Sequence, residues 1–255
     1  MKLKFLGTGT SQGVPVIGCK DEVCTSTDSK DKRLRASAIL TTDLGKKILI
    51  DCGPDFRQQM LNNDESHVDV VLITHEHTDH VIGLDDLRPI IFRSKKDMPI
   101  YTLARVAEQI KNKFPYAFAE VKYPGAPSFE IHEITDKKFS IEDVEITPIP
   151  FLHYKLPILG FKFKNLCYIT DASFFPETTL PLLQNLDVLI INCLRKSPEH
   201  ISHFVLPEII ELNKILKPKK IYLTHISHEF GLHEVVQKEL PENIYLAYDG
   251  LELEF

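Results

Sequence analysis

The sequence predicts an α/β fold in which two mixed β-sheets pack face to face with helices outside, an αββα sandwich. Short apolar and β-branched runs bounded by turn residues recur in both halves of the 255-residue chain, and such runs are typical of strands. Helical patterns separate groups of strands rather than following nearly every strand. A doubly wound parallel sheet would need a helix after nearly every strand, so the pattern favours the two-sheet sandwich.

The strands are predicted in two series along the chain. The first series comprises residues 2–6, 37–41, 47–51 and 68–74. The second comprises residues 144–150, 159–163, 166–170, 188–192 and 220–224. Helices are predicted at residues 56–62, 102–113 and 207–216, where apolar side chains recur on one helical face. Loops are predicted at 125–129 and 155–160, which contain proline and glycine.

Bulk composition limits the class of protein and its partners. Hydrophobic residues make up 43% of the chain and charged residues 26%, as in ordinary globular proteins. The net charge of -6 argues against long nucleic acid as a partner, because that binding depends on lysine and arginine displacing counterions. The negative net charge does not exclude a small phosphorylated substrate, since bound metal ions can supply local positive charge. We expect one domain over residues 1–255, because the candidate site residues run from position 75 to position 225.

The start of the chain lacks the apolar run of a secretory signal, and no uncharged apolar stretch approaches the roughly 20 residues of a spanning helix. We therefore expect a cytoplasmic protein that does not enter the membrane. The five cysteines are odd in number, and in a reducing compartment they should be thiols or metal ligands. Cys52, Cys167 and Cys193 are expected in the core. His67, His132 and His233 lack a partner motif and are expected at the surface.

The most informative segment is an apolar strand that leads directly into four potential metal ligands. They are His75, His77, Asp79 and His80. A buried strand gives a rigid base for the loop that carries them. Imidazole and carboxylate together suit zinc, manganese or iron better than calcium or magnesium.

Three further candidate ligands follow apolar runs elsewhere in the chain: His153, Asp171 and His225. Loops at strand ends on one rim of a sheet are where metal and catalytic groups usually gather. Taken singly, His153 or His225 could equally belong to a capped turn or be a hydrogen-bonded histidine. Their repeated placement after strands supports convergence with the segment at position 75.

These residues resemble the metallo-β-lactamase superfamily, whose signature His-x-His-x-Asp-His matches His75 to His80. The resemblance implies the metallo-β-lactamase fold and a metal-dependent hydrolase. The implied ligands are His75, His77 and His153 for one divalent ion, Asp79, His80 and His225 for a second, and Asp171 as a bridge. Two such ions can share a water, lower its pKa from near 16 toward about 7, and present hydroxide to a phosphodiester. Asp79 could also orient that hydroxide.

The opening of the chain resembles the PhnP-type branch, which comprises phosphoribosyl 1,2-cyclic phosphate phosphodiesterases. The matching parts are residues 7–15, residues 18–24 and residues 33–37. Taken alone, the glycines at positions 7, 9 and 13 could mark only a tight loop. The resemblance implies a structural zinc site formed by Cys19, Asp21, Cys24 and His228. Asp21 stands where the family has a cysteine, so the ligand set would be harder in the chemical sense and would bind zinc more weakly than three thiolates with histidine. Cys19 and Cys24 could instead be unmetallated loop thiols.

His203 precedes the last metal motif by the same interval as a family His-Pro-Thr-His motif. By that match His203 would be the general acid that protonates the leaving alkoxide. His200 is interpreted as a substrate contact or as part of a helix cap.

The expected substrate is a small cyclic or nucleotide-like phosphodiester, and three alternatives stay open. A tRNase Z-like RNA 3′ endonuclease shares the ligands, but its His-Glu-Ala-Thr motif differs from the sequence after His203, and its long tRNA-gripping arm has no counterpart here. A binding or regulatory module could keep metals without turnover. Ester or lactam hydrolysis is the third alternative. A homodimer is expected only because twofold symmetry is the commonest oligomeric arrangement.

Overall fold

Two seven-stranded sheets face each other in the computed structural model, which describes residues 1–255. The first sheet contains β1 (Lys2–Gly7), β2 (Ser37–Thr41), β3 (Lys47–Ile50), β4 (Val70–Leu72), β5 (Met98–Leu103) and β6 (Phe129–Ile134), together with the last strand of the chain, Glu252–Glu254. The second sheet contains β7 (Phe139–Ile141), β8 (Val144–His153), β9 (Leu156–Phe163), β10 (Leu166–Tyr168), β11 (Val188–Asn192), β12 (Lys220–Thr224) and β13 (Ile244–Leu246). The strand Glu252–Glu254 is β14 and pairs with β1.

The two sheets have the same internal plan. In the first, β14, β1, β2 and β3 pair antiparallel, and β3, β4, β5 and β6 pair parallel. In the second, β7, β8, β9 and β10 pair antiparallel, and β10, β11, β12 and β13 pair parallel. Both sheets are therefore mixed, which confirms the predicted fold class.

Helices cover the outer faces of both sheets and complete the four layers. The helices of the chain are α1 (Glu22–Thr25), which lies in the N-terminal loop, and α2 (Phe56–Asn62), α3 (Thr78–Val81), α4 (Arg88–Ser94), α5 (Ala104–Lys113), α6 (Leu206–Leu216) and α7 (His233–Glu239). Phe56 and Ile110 belong to the apolar cluster outside the first sheet, whereas Ile209 and Val236 belong to the cluster outside the second. No helix combines the length and the apolar composition that crossing a bilayer requires.

The layer between the sheets is a separate apolar core. Side chains alternate between the two faces of a strand, so Leu3 and Phe5 of β1 point into this layer. Phe161 of β9 and Tyr168 of β10 enter it from the second sheet and are fully buried. The sheets are thus held together by interdigitated apolar side chains.

The predicted loop at 155–160 is wrong, because β8 and β9 form a hairpin whose turn is only Tyr154 and Lys155. Pro157 is tolerated there because it lies in the part of β9 that extends beyond β10. At Gly160, a Cβ atom would lie 2.6 Å from the carbonyl oxygen of Tyr168. Gly160 therefore allows β9 to pass close to the backbone of β10 and does not mark a loop.

Two other expectations need correction. The helix predicted from residue 102 begins at Ala104, because the preceding residues belong to β5. His233 is buried, and its Nδ1 lies 3.2 Å from a guanidinium nitrogen of Arg33. His67 is exposed as expected, and His132 is partly exposed. A single domain over 1–255 stays a prediction.

Replacing Phe161 by alanine should lower the free energy of unfolding by about 3–5 kcal/mol, because the cavity would lie between the two sheets. Urea unfolding followed by circular dichroism measures this change. Phe92→Ala is the matched control, since Phe92 is 49% exposed and its loss should cost within about 0.5 kcal/mol. Equal effects of the two substitutions would contradict the assignment of Phe161 to the inter-sheet core.

Candidate metal centre

The candidate ligands lie where strands end. His75 follows β4, His153 is the last residue of β8, and Asp171 and His225 follow β10 and β12. Asp171 and His225 have left-handed backbone conformations, with φ values of 61° and 53°. Such conformations cost about 1–3 kcal/mol for residues other than glycine and persist only where the surroundings enforce them. The backbone therefore turns sharply at Asp171 and His225, and their side chains point into one shared site.

The structure brings the first group of predicted ligands together. The ligand atoms of His75, His77, His153 and Asp171 all lie within 4.8 Å of one another. The ring centroids of His75 and His77 are 4.6 Å apart, and those of His77 and His153 are 5.0 Å apart. His77 is exposed, whereas the other three residues are buried. One side of this group is therefore open to solvent.

The second group shares Asp171 with the first. The ligand atoms of Asp79, His80, Asp171 and His225 also lie within 4.8 Å of one another. The Oδ1 atom of Asp171 lies 3.5 Å from Nε2 of His80 and 3.3 Å from Nε2 of His225. Its Oδ2 atom faces the first group, 3.8 Å from Nε2 of His75 and 3.9 Å from Nε2 of His153. Each carboxylate oxygen thus faces a different group.

Hydrogen bonds on the outer side fix which nitrogen of His75 and of His153 faces the site. His153 donates from Nδ1 to the carbonyl oxygen of Ser202 at 2.8 Å. The Nδ1 atom of His75 lies 2.9 Å from Oγ1 of Thr74, which itself donates to Asp51. Since that hydroxyl hydrogen is used, Nδ1 of His75 carries a proton and donates. In both rings Nε2 is then the nitrogen that faces Asp171.

The inward nitrogens lack protein partners, which tests whether cations fit the site. Nε2 of His75, His80 and His225 is buried without a hydrogen-bond partner. Buried polar atoms are rarely left unpaired in folded proteins. Imidazole nitrogens and carboxylate oxygens are the donors that divalent zinc, manganese and iron accept. The residues present therefore fit one divalent cation in each group.

The electrostatics of the site are consistent with this fit. Burial and the neighbouring His80 hold the pKa of His75 well below its usual 6.5, so the ring stays neutral and keeps a lone pair for a cation. Burial opposes charge on His80, but Asp171, Asp51 and Asp79 together raise the pKa of its ring well above the usual value. The carboxylates that attract a proton to this position would equally attract a metal ion.

Asp51 is a central residue that the sequence interpretation missed. Its carboxylate accepts hydrogen bonds from Nδ1 of His80 at 2.7 Å and from the backbone and hydroxyl of Thr74, both at 2.9 Å. It is fully buried directly after β3 and has a φ of 60°. The available signal was an acidic residue ending an apolar strand, like Asp171. The neighbouring Cys52 is buried, and burial raises its thiol pKa well above the usual value.

His203 and His200 form a smaller group beside the shared carboxylate. Nε2 of His203 lies 3.5 Å from Oδ2 of Asp171. Its Nδ1 lies 3.2 Å from Nδ1 of His200 and 3.1 Å from Oγ of Ser202. Burial lowers the pKa of His203 to about 4, although Asp171 opposes this shift. The structure therefore places His203, but not His200, next to Asp171.

A third group lies in the N-terminal loop. The ligand atoms of Cys19, Asp21 and Cys24 lie within 4.8 Å of one another. Nε2 of His228 is 3.5 Å from Oδ2 of Asp21. The other oxygen of Asp21 accepts a hydrogen bond from the backbone of Cys24 at 2.7 Å and caps α1. Burial is the main cause that raises the pKa of Cys24 to about 11. All four residues predicted for a structural site are thus neighbours.

Comparison with known proteins identifies the family. The beta-lactamase superfamily domain matches residues 46–226. A crystal structure described as a new diphosphatase from the PhnP family has 37% sequence identity and a TM-score of 0.92, and covers 100% of this chain and 97% of that one.

Curated relatives are longer proteins. One, named octanoyltransferase, from Porphyromonas gingivalis, is 41% identical over 254 residues, 99% of this chain but 51% of that protein. A ribonuclease Z from Methanococcus maripaludis is 28% identical over 228 residues, 86% of this chain and 65% of that protein. The chain therefore spans less than two thirds of either protein. The shared domain and the PhnP-family structure show that this chain belongs to the beta-lactamase superfamily and, within it, to the PhnP family.

Proposed function

We propose that this chain is a metal-dependent phosphodiesterase that hydrolyses a small cyclic or nucleotide-like phosphodiester. The observation that carries the proposal is the Asp171 carboxylate, whose two oxygens face two separate groups of imidazole nitrogens. A shared carboxylate of this kind suits two metal ions close together, the arrangement that many phosphoester hydrolases use. His203 beside the same carboxylate adds a proton donor.

The residues that would hold the first ion are His75, His77, His153 and Asp171, and those for the second are Asp79, His80, Asp171 and His225. Divalent ions in these positions would supply Lewis acidity, lower the pKa of an attacking water and neutralise phosphoryl oxygens. Zinc and manganese both accept this donor set.

The chain's own residues supply the remaining chemistry. The attacking water would lose one proton to solvent as its oxygen bonds to phosphorus, and the bond from phosphorus to the leaving oxygen breaks with its electron pair staying on that oxygen. A protonated His203 would transfer its Nε2 proton to this oxygen, so that an alcohol departs. Asp79, whose Oδ2 lies 3.2 Å from Nε2 of His80, would accept a hydrogen bond from the attacking water and orient it. Burial lowers the His203 pKa to about 4, and the negative charge of a bound substrate would oppose this shift.

Two relatives suggest other substrates. The PhnP-family structure is described as a diphosphatase, so hydrolysis of a diphosphate bond is the second candidate for this site. The relative named octanoyltransferase matches only over half its length, and Cys52, Cys167 and Cys193 are buried thiols with raised pKa values. Because a reactive thiol needs exposure and a lowered pKa, these residues do not support acyl transfer through cysteine.

A substrate panel tests the proposed function. Protein loaded with zinc or manganese would be assayed on bis(p-nitrophenyl) phosphate, a phosphoribosyl cyclic phosphate, a dinucleotide diphosphate and a precursor tRNA. We expect the highest kcat/KM on the cyclic phosphodiester. Asp171→Asn should lower kcat more than about a hundredfold with loss of bound metal, because both ion positions lose a ligand. Asp136→Asn, at an exposed turn, is the matched control.

Each other outcome of the panel has a defined meaning. Faster turnover of the dinucleotide diphosphate would select the diphosphatase candidate. Cleavage of the precursor tRNA alone would indicate a ribonuclease. Complete inactivity of fully metal-loaded protein on all four substrates would contradict an enzymatic role and favour a binding module.

Asp51 should tune metal affinity without touching a metal ion. In Asp51→Asn the side chain loses its charge and one of the acceptors for His80 and Thr74. We expect affinity for zinc to fall about 10–100-fold, as for other residues that orient metal-bound histidines. A competition titration with a chelator measures this. Asp55→Asn, four positions away and paired with Arg35, is the control, and equal affinities in both variants would refute the role.

We also propose that Cys19, Asp21, Cys24 and His228 hold a structural zinc ion. A cation would stabilise the Cys24 thiolate, which burial otherwise disfavours. Replacing Cys19 and Cys24 by serine should lower the metal content from about three to about two ions per chain. Elemental analysis measures this, with Cys167→Ala in β10 as the control. An unchanged metal content in the double variant would eliminate the site.

A further inference from the structure

We propose that His200 is a positioning residue that holds His203 in the tautomer and ring orientation needed for proton transfer at Nε2. This inference rests on the proposed function, because it concerns the proton donor of that reaction. It differs from the substrate contact that the sequence suggests for His200. The relevant contacts lie within one turn of chain, residues 200–203.

The ring of His200 accepts a hydrogen bond at one nitrogen, which fixes the position of its proton. Its Nδ1 accepts a hydrogen bond from the backbone N–H of Ser202 at 3.3 Å. A ring nitrogen that accepts a hydrogen bond carries a lone pair and no proton. In the neutral ring the proton of His200 is therefore on Nε2, and Nδ1 is free to act as an acceptor for a second donor.

The contact with His200 determines which nitrogen of His203 carries the proton. Its Nδ1 lies 3.2 Å from Nδ1 of His200, and two lone pairs facing each other at that distance would repel. Because Nδ1 of His200 is an acceptor, we assign a proton to Nδ1 of His203, which donates it to His200. The hydroxyl of Ser202 lies beside both rings, 3.1 Å from Nδ1 of His203 and 3.3 Å from Nδ1 of His200. The Nε2 atom of His203 is then the nitrogen that faces the metal site. It is buried, lacks a hydrogen-bond partner and faces Asp171.

The turn formed by residues 200–203 also contacts the metal site. The carbonyl oxygen of Ser202 accepts the Nδ1 proton of His153, one of the proposed ligands. The ring centroids of His153 and His203 are 4.9 Å apart. The same short segment therefore orients a proposed ligand through its backbone carbonyl and the proposed acid through the His200 side chain.

The consequence for the reaction is a defined path for one proton. Protonated His203 carries hydrogens on both nitrogens and gives the Nε2 proton to the leaving oxygen as the phosphorus–oxygen bond breaks. The ring returns to its neutral form with the Nδ1 proton still bonded to His200. Without the acceptor at position 200, the ring could rotate or adopt the other tautomer, and proton transfer would become less efficient.

Leaving-group dependence tests the proposal. A p-nitrophenolate leaves without a proton, whereas an alkoxide requires one, so only the second substrate needs an oriented acid. We would compare kcat of His200→Ala on bis(p-nitrophenyl) phosphate and on a nucleoside 2′,3′-cyclic phosphate. The loss on the cyclic phosphate should exceed the loss on the nitrophenyl ester by about tenfold. His200→Asn, whose Oδ1 can replace the Nδ1 acceptor, should recover most of the difference.

His203→Ala and His67→Ala complete the design. His203→Ala should show the same selectivity more strongly, and His67→Ala, an exposed histidine, should show none. The positioning role would be overturned if His200→Ala lost equal activity on both substrates, or if His200→Asn recovered none of the difference. If His203→Ala were still selective in that case, the proposed function would stand. Absence of selectivity in His203→Ala would overturn both the acid and its positioning residue.

Discussion

The buried carboxylate of Asp171 is the constraint on which the arrangement of the site depends. A carboxylate removed from water is costly unless opposite charge or hydrogen bonds compensate it. Here imidazole nitrogens from both halves of the chain surround it, and His225 and His80 hold its pKa well below the usual value against the effect of burial. The strands that deliver these rings must therefore end at the same edge, and the two face-to-face sheets provide that edge.

A second layer of groups decides how the rings are presented. Asp51, Thr74 and Ser202 bind the outer nitrogens of His80, His75 and His153, so each ring has one orientation and one tautomer. Preorganisation of this kind reduces the reorganisation needed when a cation or substrate binds. The layer comes from strand ends and one turn, which links the rigidity of the sheets directly to the chemistry of the site.

Much of this could be predicted from sequence, because the dense ligand segment after β4 and the repeated strand-end positions are local patterns. The mixed sheets and the convergence of His153, Asp171 and His225 on the segment from His75 to His80 agree with those patterns. Asp51 was not predicted because it contributes to the site only through its hydrogen bond with His80, and this bond forms only when β3 and β4 are paired. Residues 155–160 were misassigned because Pro157 and Gly160 are common in loops, and only the contact with Tyr168 explains the glycine. The burial of His233 depends on Arg33, 200 positions away.

The pairing of β14 with β1 affects how the chain is made. Lys4 lies opposite Glu252, so this edge of the first sheet is completed by a segment about 250 residues downstream. At the ribosome's usual speed, β1 waits roughly 10–50 s for that segment. During this interval the nascent chain exposes an open hydrogen-bonding edge, which neighbouring polypeptides could join. Lys2 and Lys4 place positive charge at that edge, and charged side chains at a strand edge disfavour pairing with other chains.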